Sequence, residues 1–193
     1  MDVTEAIARI LKSEGVEWMA CFPSTPLIEA VAKEGIRPIS FRQERGAVMA
    51  ADGFSRMSDR QRFGVVAVQD QAGAENAMGG ISQAFADNVP ILVLPRGSSL
   101  DRVAVRPYFS AVTTYQSIAR QAETITRPDM VGDVMRRAFH ALRNGRPGPV
   151  VVEMPSDVCS QEVSEEGLQY HSPKVSIQVP SASDIKDAVR VLL

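Results

Sequence analysis

Three uninterrupted apolar runs constrain this chain most: Phe63-Gly64-Val65-Val66-Ala67-Val68, Val89-Pro90-Ile91-Leu92-Val93-Leu94 and Val150-Val151-Val152. A strand that is apolar on both sides must be covered on both, which parallel strands joined by crossover helices achieve. The segments between the runs carry the helical period. Asp2 caps a first helix, with Glu5 as its capping-box partner, Val3, Ile7, Ile10 and Leu11 as its apolar stripe, and Gly15 at its end. A strand over 16–22 stops at Pro23, and a helix over 27–33 ends at Gly35. The strand over 36–41 contains Pro38, whose missing N–H sets the strand at a sheet edge or keeps it short. Further helices are expected over 45–57, 74–86 and 128–142, the last with Pro128 at its start and Asn144-Gly145 at its end. The stretch 95–126 shows no clear pattern beyond a candidate short strand within 118–125. This alternation predicts an α/β domain: three αβα layers around a mainly parallel sheet of about six strands.

Charge and composition narrow the function. With 21 Lys+Arg against 23 Asp+Glu the 193-residue chain has a formal net charge of −2, so no basic surplus exists from which to build a nucleic-acid-binding face. An acidic N-terminus and the lack of any apolar run near the roughly 18 residues of a membrane span predict a soluble, cytoplasmic chain with no membrane partner. Cys21 and Cys159 are far apart, with no CxxC and no histidine at ligand spacing, which predicts reduced thiols and no metal site.

Beyond Asp157 the alternation is lost. Residues 160–180 have the composition of a surface linker, with Pro173 and Pro180, and Ser183-Asp184 then opens a helix with Ile185, Ala188, Val189, Leu192 and Leu193 on its apolar face. That helix is expected to begin a further domain; the alternative is a terminal helix docked back on the first.

Familiar catalytic motifs are missing from the sequence: GxGxxG, GxxxxGK[ST], HExxH and GxSxG. The two histidines, His140 in a helical pattern and His171 in the linker, offer no acid/base pair. Glu44 is better placed, just past a strand and at the opening of a helix, where ligands bind in open α/β sheets. An acid there also suits the helix macrodipole without any function. Small residues form two stripes, Gly46, Ala50 and Gly53 on one helix and Gly73, Ala77, Gly80 and Ala84 on the next. Since glycine inside a helix costs roughly 1 kcal/mol against alanine, the stripes imply close packing, either within the domain or between subunits.

Beyond these local features, Arg42-Gln43-Glu44-Arg45-Gly46-Ala47 with Met49-Ala50-Ala51-Asp52-Gly53-Phe54-Ser55-Arg56 resembles the RHEQGA…MAEGYAR segment of thiamine-diphosphate-dependent enzymes of the acetolactate synthase and decarboxylase group. Gly73-Ala74-Glu75-Asn76, Ala84-Phe85-Ala86-Asp87 and Pro90 are similar to GATN…AYAD..P, and Gly145-Arg146-Pro147-Gly148-Pro149-Val150 with Pro155-Ser156-Asp157-Val158 is similar to GRPGPVLVDIPKDV. The segments follow the family order. The resemblance implies a pyrimidine-binding domain over 1–172, followed by a linker and the first helix of the next domain over 173–193. It implies that Glu44 hydrogen-bonds N1′ of the cofactor aminopyrimidine, favouring the imino tautomer whose 4′ nitrogen takes the proton from thiazolium C2. Pro23, Gly73 and Asn76 are implied as cofactor-binding walls. Mg²⁺ is implied on a separate diphosphate-binding domain, since no GDG motif occurs here, and FAD is left open. The implied partner is the diphosphate-binding domain of another subunit, in a homodimer or dimer of dimers. The activity implied is carboligation or decarboxylation of a 2-oxo acid or related donor. A natural small subunit of a two-chain sulfopyruvate or phosphonopyruvate type decarboxylase and a non-catalytic flavodoxin-like module are the alternatives.

Four departures bear on substrate. Gln43 replaces the family histidine, Asp70-Gln71-Ala72-Gly73-Ala74-Glu75-Asn76 replaces SGPGATN, Pro95-Arg96-Gly97-Ser98 replaces the segment with TGQ, and Val105-Arg106-Pro107-Tyr108-Phe109 has no AFQE.

Overall fold

In the computed structural model, which describes residues 1–23, 25–59, 61–103, 105–164, 168–176 and 179–193, the apolar runs form the centre of one parallel sheet. The strands are β1 (Trp18–Cys21), β2 (Arg37–Ser40), β3 (Gly64–Val68), β4 (Ile91–Gly97), β5 (Gln121–Thr124) and β6 (Val150–Pro155), in the order β2-β1-β3-β4-β6-β5. β3 and β6 are buried at every residue. Pro38 lies on the edge strand β2, where its missing donor breaks no internal ladder. The opposite edge is β5, a polar Gln-Ala-Glu-Thr strand paired only with β6, so β6 is internal and the candidate strand within 118–125 is the outermost one.

Alternate residues of each strand face different helices. On one face, Met19, Cys21, Val65, Ala67, Leu92, Leu94, Val150 and Val152 pack against α1 (Val3–Ser13), α2 (Leu27–Lys33) and α6 (Val131–Arg143). On the other, Ala20, Val66, Val68, Ile91, Val93 and Val151 pack against α3 (Glu44–Met57), α4 (Ala72–Ala86) and α5 (Ala111–Tyr115). This is the expected three-layer αβα arrangement. α1 carries the predicted capping box, with Glu5 N donating to Asp2 Oδ1 at 2.8 Å and Asp2 N to Glu5 Oε2 at 3.3 Å. α6 is preceded by a 3-10 turn over Pro128–Met130, so the proline begins that turn rather than the α-helix itself.

The α4 stripe packs within the chain. A Cβ on Gly80 would come 2.8 Å from Val48 Cγ1, so α3 and α4 can approach this closely only with glycine there, and Ala77 and Ala84 are fully buried. The α3 stripe differs: Gly46, Ala50 and Gly53 stay partly exposed, and a Cβ on Gly53 would meet nothing within 4 Å.

After β6 the short helix α7 (Ser156–Cys159) leads to a segment that returns along the N-terminus, with Val3 N donating to Gln161 O and Val163 N to Met1 O. Residues 168–176 lie against α6 and the end of α1. Tyr170 Oη donates to Glu14, Ser172 Oγ donates to Glu14 Oε2 at 3.1 Å, and Arg143 pairs with the same buried carboxylate. Asn144, the C-cap of α6, donates to Lys174 O and accepts from Ser176 N and Oγ. The final helix α8 (Ala182–Leu192) has the Ser181–Asp184 capping box and buries no residue. The expected linker over 160–180 is thus docked along much of its described length; part of it, 165–167 and 177–178, lies outside the described residues. Among the described residues no helix is long and apolar enough to cross a membrane.

Candidate functional site

The chain leaves β1 through α2 to reach β2 on one side, then passes back through α3 to reach β3 on the other. The reversal places a crevice at the carboxyl ends of β1, β2 and β3, the position where open α/β sheets bind ligands. Pro23, Glu44 and Gly73 follow these three neighbouring strands.

Glu44 is the first residue of α3, yet it is only 5% exposed, which is unusual for an acid whose helix-capping value alone would leave it in water. Two neighbours on α4 hold it. Asn76 Nδ2 donates to Glu44 Oε2 at 2.8 Å, and a Cβ on Gly73 would come within 2.6 Å of Glu44 Oε1. Gly73 is therefore needed to let the carboxylate occupy this place. Oε1 accepts from no donor among the described residues, so one oxygen is fixed and the other is without a donor. Gly73 lies in the first turn of α4 and Asn76 at the start of its second, near the positive end of the helix dipole.

The structure thus brings Glu44, Gly73 and Asn76 together. Pro23 lies at the end of β1 on the same rim, exposed, and without a polar contact to that trio. His140 and His171 are exposed and remote from it in the fold, on α6 and in the docked segment. The turn before α4 is strained: Gln71 has φ +45° and ψ −107°, a region that favours glycine, in the segment where the sequence departs from SGPGATN. Gln43, in place of the family histidine, is the N-cap of α3, exposed and making no side-chain cap.

Behind this trio lies a second group that the sequence did not single out. Tyr115 of α5 is fully buried and its Oη donates to Ala74 O in the first turn of α4. Burial raises the Tyr115 pKa, and the negative charges of Glu153, Glu44 and Glu75 raise it further, so the phenol remains a donor. Glu153 on β6 is 3% exposed and accepts from Ala111 N at 2.7 Å and Thr124 Oγ1 at 2.8 Å; burial pushes its carboxyl pKa up and those hydrogen bonds oppose the shift. The available sequence signal was an acid within the otherwise apolar run Val150-Val151-Val152-Glu153-Met154. Both cysteines are free; Cys21 is buried, with its thiol pKa raised by burial, and burial pushes Cys159 up to about 11.

A doubly wound parallel sheet with a buried carboxylate at its switch point defines a ligand-binding α/β domain, and sequence comparison identifies which kind. The profile described as "Thiamine pyrophosphate enzyme, N-terminal TPP binding domain" matches residues 1–121, and the chain belongs to that family. It is similar to the acetolactate synthase large subunit of Lactococcus lactis subsp. lactis (strain IL1403), 34% identical over 174 residues, covering 84% of this chain and 29% of that protein. The probable acetolactate synthase large subunit of Methanocaldococcus jannaschii is 31% identical over 172 residues, covering 86% of this chain and 29% of that protein. The glyoxylate carboligase of Escherichia coli O157:H7 is 28% identical over 200 residues, covering 100% of this chain and 33% of that protein. The chain spans about a third of the length of these curated relatives.

Proposed function

We propose that this chain is the pyrimidine-binding part of a thiamine-diphosphate-dependent carboligase acting on a 2-oxo acid or related donor, as the names of its relatives suggest, and that Glu44 is its catalytic carboxylate. The observation that carries the reading is a buried glutamate with one oxygen held by Asn76 and the other without a donor, in a cradle that a Cβ on Gly73 would fill. When bound, thiamine diphosphate supplies a carbon nucleophile and an electron sink. Glu44 holds the shared proton at N1′ through Oε1, while Asn76 fixes the carboxyl plane and Tyr115 anchors the turn that presents Asn76 and Gly73. Pro23 contributes a wall of the same rim.

The described residues include no group of three His, Cys, Asp or Glu side chains that could hold a metal ion, and the Mg²⁺ that accompanies the diphosphate is assigned to the diphosphate-binding domain of another subunit. The partly exposed α3 stripe of Gly46, Ala50 and Gly53 supports a close subunit contact of a homodimer or dimer of dimers. Residues 1–172 form the pyrimidine-binding domain and 173–193 the linker and first helix of a following domain, a division supported by α8 burying nothing against the rest.

In the complete enzyme, Glu44→Gln is expected to slow exchange of the thiazolium C2 proton by about 10²–10⁴-fold, the usual range for a positioned acid or base. Exchange at the wild-type rate in a variant that still binds the cofactor would overturn the role.

A further inference from the structure

Both histidines of the chain, His140 and His171, line one cleft, bounded by α6, the docked segment 171–176 and Gln121 at the start of β5. Gln121 pairs with Val150, the first residue of β6, so in this parallel sheet the cleft lies at the amino-terminal rim, opposite the rim that carries Glu44. Its volume is about 730 Å³. Every ionisable group in its lining is basic: Arg136, Arg137 and Lys174 join the histidines, with no Asp or Glu among them. A concave surface lined by one sign of charge concentrates counter-ions, and this one stands in a chain whose net charge is −2.

The walls of the cleft are held in place. Ser172 Oγ donates to the buried Glu14 carboxylate and accepts from Arg143 Nη1 at 3.0 Å, while Asn144 binds Ser176 N and Oγ and donates to Lys174 O. Lys174 is thereby presented from a backbone fixed on both sides, yet its ammonium pairs with no acid among the described residues. Glu123 grips Arg137 through Nε and Nη2, and Asp133 holds Arg136 Nη2 at 3.0 Å, so each guanidinium is oriented while its Nη1 donates to no described residue. The Asn144 amide nitrogen faces His140 Nδ1 at 3.2 Å, which leaves the proton of the neutral ring on Nε2, a donor with no partner among the described residues. His171 makes no hydrogen bond with any of them.

We propose that this cleft binds a small molecule carrying two or more linked phosphoryl groups. Lys174 supplies a compact charge, the two guanidiniums supply oriented N–H groups, and the histidines supply ring donors. Each phosphoryl group offers strong acceptor oxygens in a tetrahedral array, so donors on both walls can meet one anion, which the two coplanar oxygens of a carboxylate do not allow. The donors are spread over a space far larger than one phosphate, which favours a chain of phosphoryl groups over a single one. The proposal does not rest on the role given to Glu44, which is not among the lining residues.

Titration of the 193-residue chain with inorganic pyrophosphate, orthophosphate and ADP at about 0.15 M salt tests it, read from the ring Cε1–H signals of the two histidines. Pyrophosphate is expected to shift both signals along one saturation curve and to bind at least about tenfold more tightly than orthophosphate. Lys174→Ala is expected to weaken pyrophosphate binding at least about fivefold and His171→Gln about threefold. Both side chains are exposed and make no contact that the fold uses, so the variants keep the fold. Lys186→Ala, which removes the same charge from α8, is expected to leave the affinity unchanged. ADP binding more tightly than pyrophosphate identifies a nucleotide as the source of the phosphoryl groups, and equal or weaker binding identifies the phosphoryl chain alone; either supports the site. Shifts that do not saturate, orthophosphate binding as tightly as pyrophosphate, unchanged affinity in Lys174→Ala and His171→Gln, or equal weakening by Lys174→Ala and Lys186→Ala overturns it.

Discussion

Asn76 Nδ2 donates to Glu44 Oε2 at 2.8 Å, joining the first residue of α3 to the fifth residue of α4 across 32 residues of sequence. This one bond converts a helix-start glutamate into an oriented carboxylate. Asn76→Asp replaces the donor with a second acid against a carboxylate that is already buried, and is expected to destabilise the chain by about 1–3 kcal/mol at pH 7. Two carboxyls at this distance hold a shared proton more tightly folded than unfolded, so the penalty is present above the ordinary carboxylate range and disappears below about pH 3, where both carboxyls are protonated in the folded and the unfolded chain. Urea unfolding of both proteins at the two pH values checks this; an equal deficit at both would show that charge repulsion is not its cause.

Two glycine-to-alanine changes are expected to act in opposite directions. At Gly73 the added Cβ would lie 2.6 Å from both Gln69 Cβ and Glu44 Oε1, an overpacking expected to cost about 1–3 kcal/mol that outweighs any gain in helix propensity. At Gly53, where nothing lies within 4 Å, only the propensity gain of up to about 1 kcal/mol remains. Thermal unfolding should show Gly73→Ala melting lower and Gly53→Ala melting higher than wild type. A lower midpoint for Gly53→Ala would mean that its face is already packed in the isolated chain.

Features governed by neighbouring residues were legible in the sequence. The Asp2–Glu5 capping box, the limits of α2 and the edge position of Pro38 each follow from a few adjacent side chains, and the structure shows all three. β5 gave little signal because Gln121-Ala122-Glu123-Thr124 is half-exposed along its whole length, with neither an apolar run nor alternation. Glu44 could be singled out from its place after a strand, but its burial and its Asn76 partner depend on α4 packing against α3, a contact that no local window contains.

Glu153 sets a pH dependence whose sign can be worked out. Burial raises its folded pKa above the unfolded value, so it contributes stability that is present at low pH and lost as pH rises through the unfolded and then the folded pKa. Glu153→Gln cannot ionise, yet keeps an acceptor for Ala111 N. The variant is therefore expected to gain stability relative to wild type as the pH rises above the ordinary glutamate pKa of about 4.3. Urea midpoints on either side of that value test it, and a relative loss on raising the pH would mean that the Ala111, Thr124 and Ser110 hydrogen bonds outweigh burial.

Asn144 ties the segment after the sheet to the domain. It is 6% exposed, its Nδ2 faces His140 O and Lys174 O, both at 3.2 Å, and its Oδ1 accepts from Ser176 N at 2.7 Å and Ser176 Oγ at 2.8 Å. Asn144→Ala removes all of these while leaving the Glu14 contacts of Tyr170 and Ser172 in place. Each buried group left without a partner costs about 1–3 kcal/mol, but the segment can instead detach and hydrate its own polar groups, which limits the loss of global stability. The expected result is a small fall in the unfolding midpoint together with a large gain in amide exchange at residues 174–176 and faster proteolysis nearby. Exchange at the wild-type rate there would show that the Glu14 contacts alone hold the segment down.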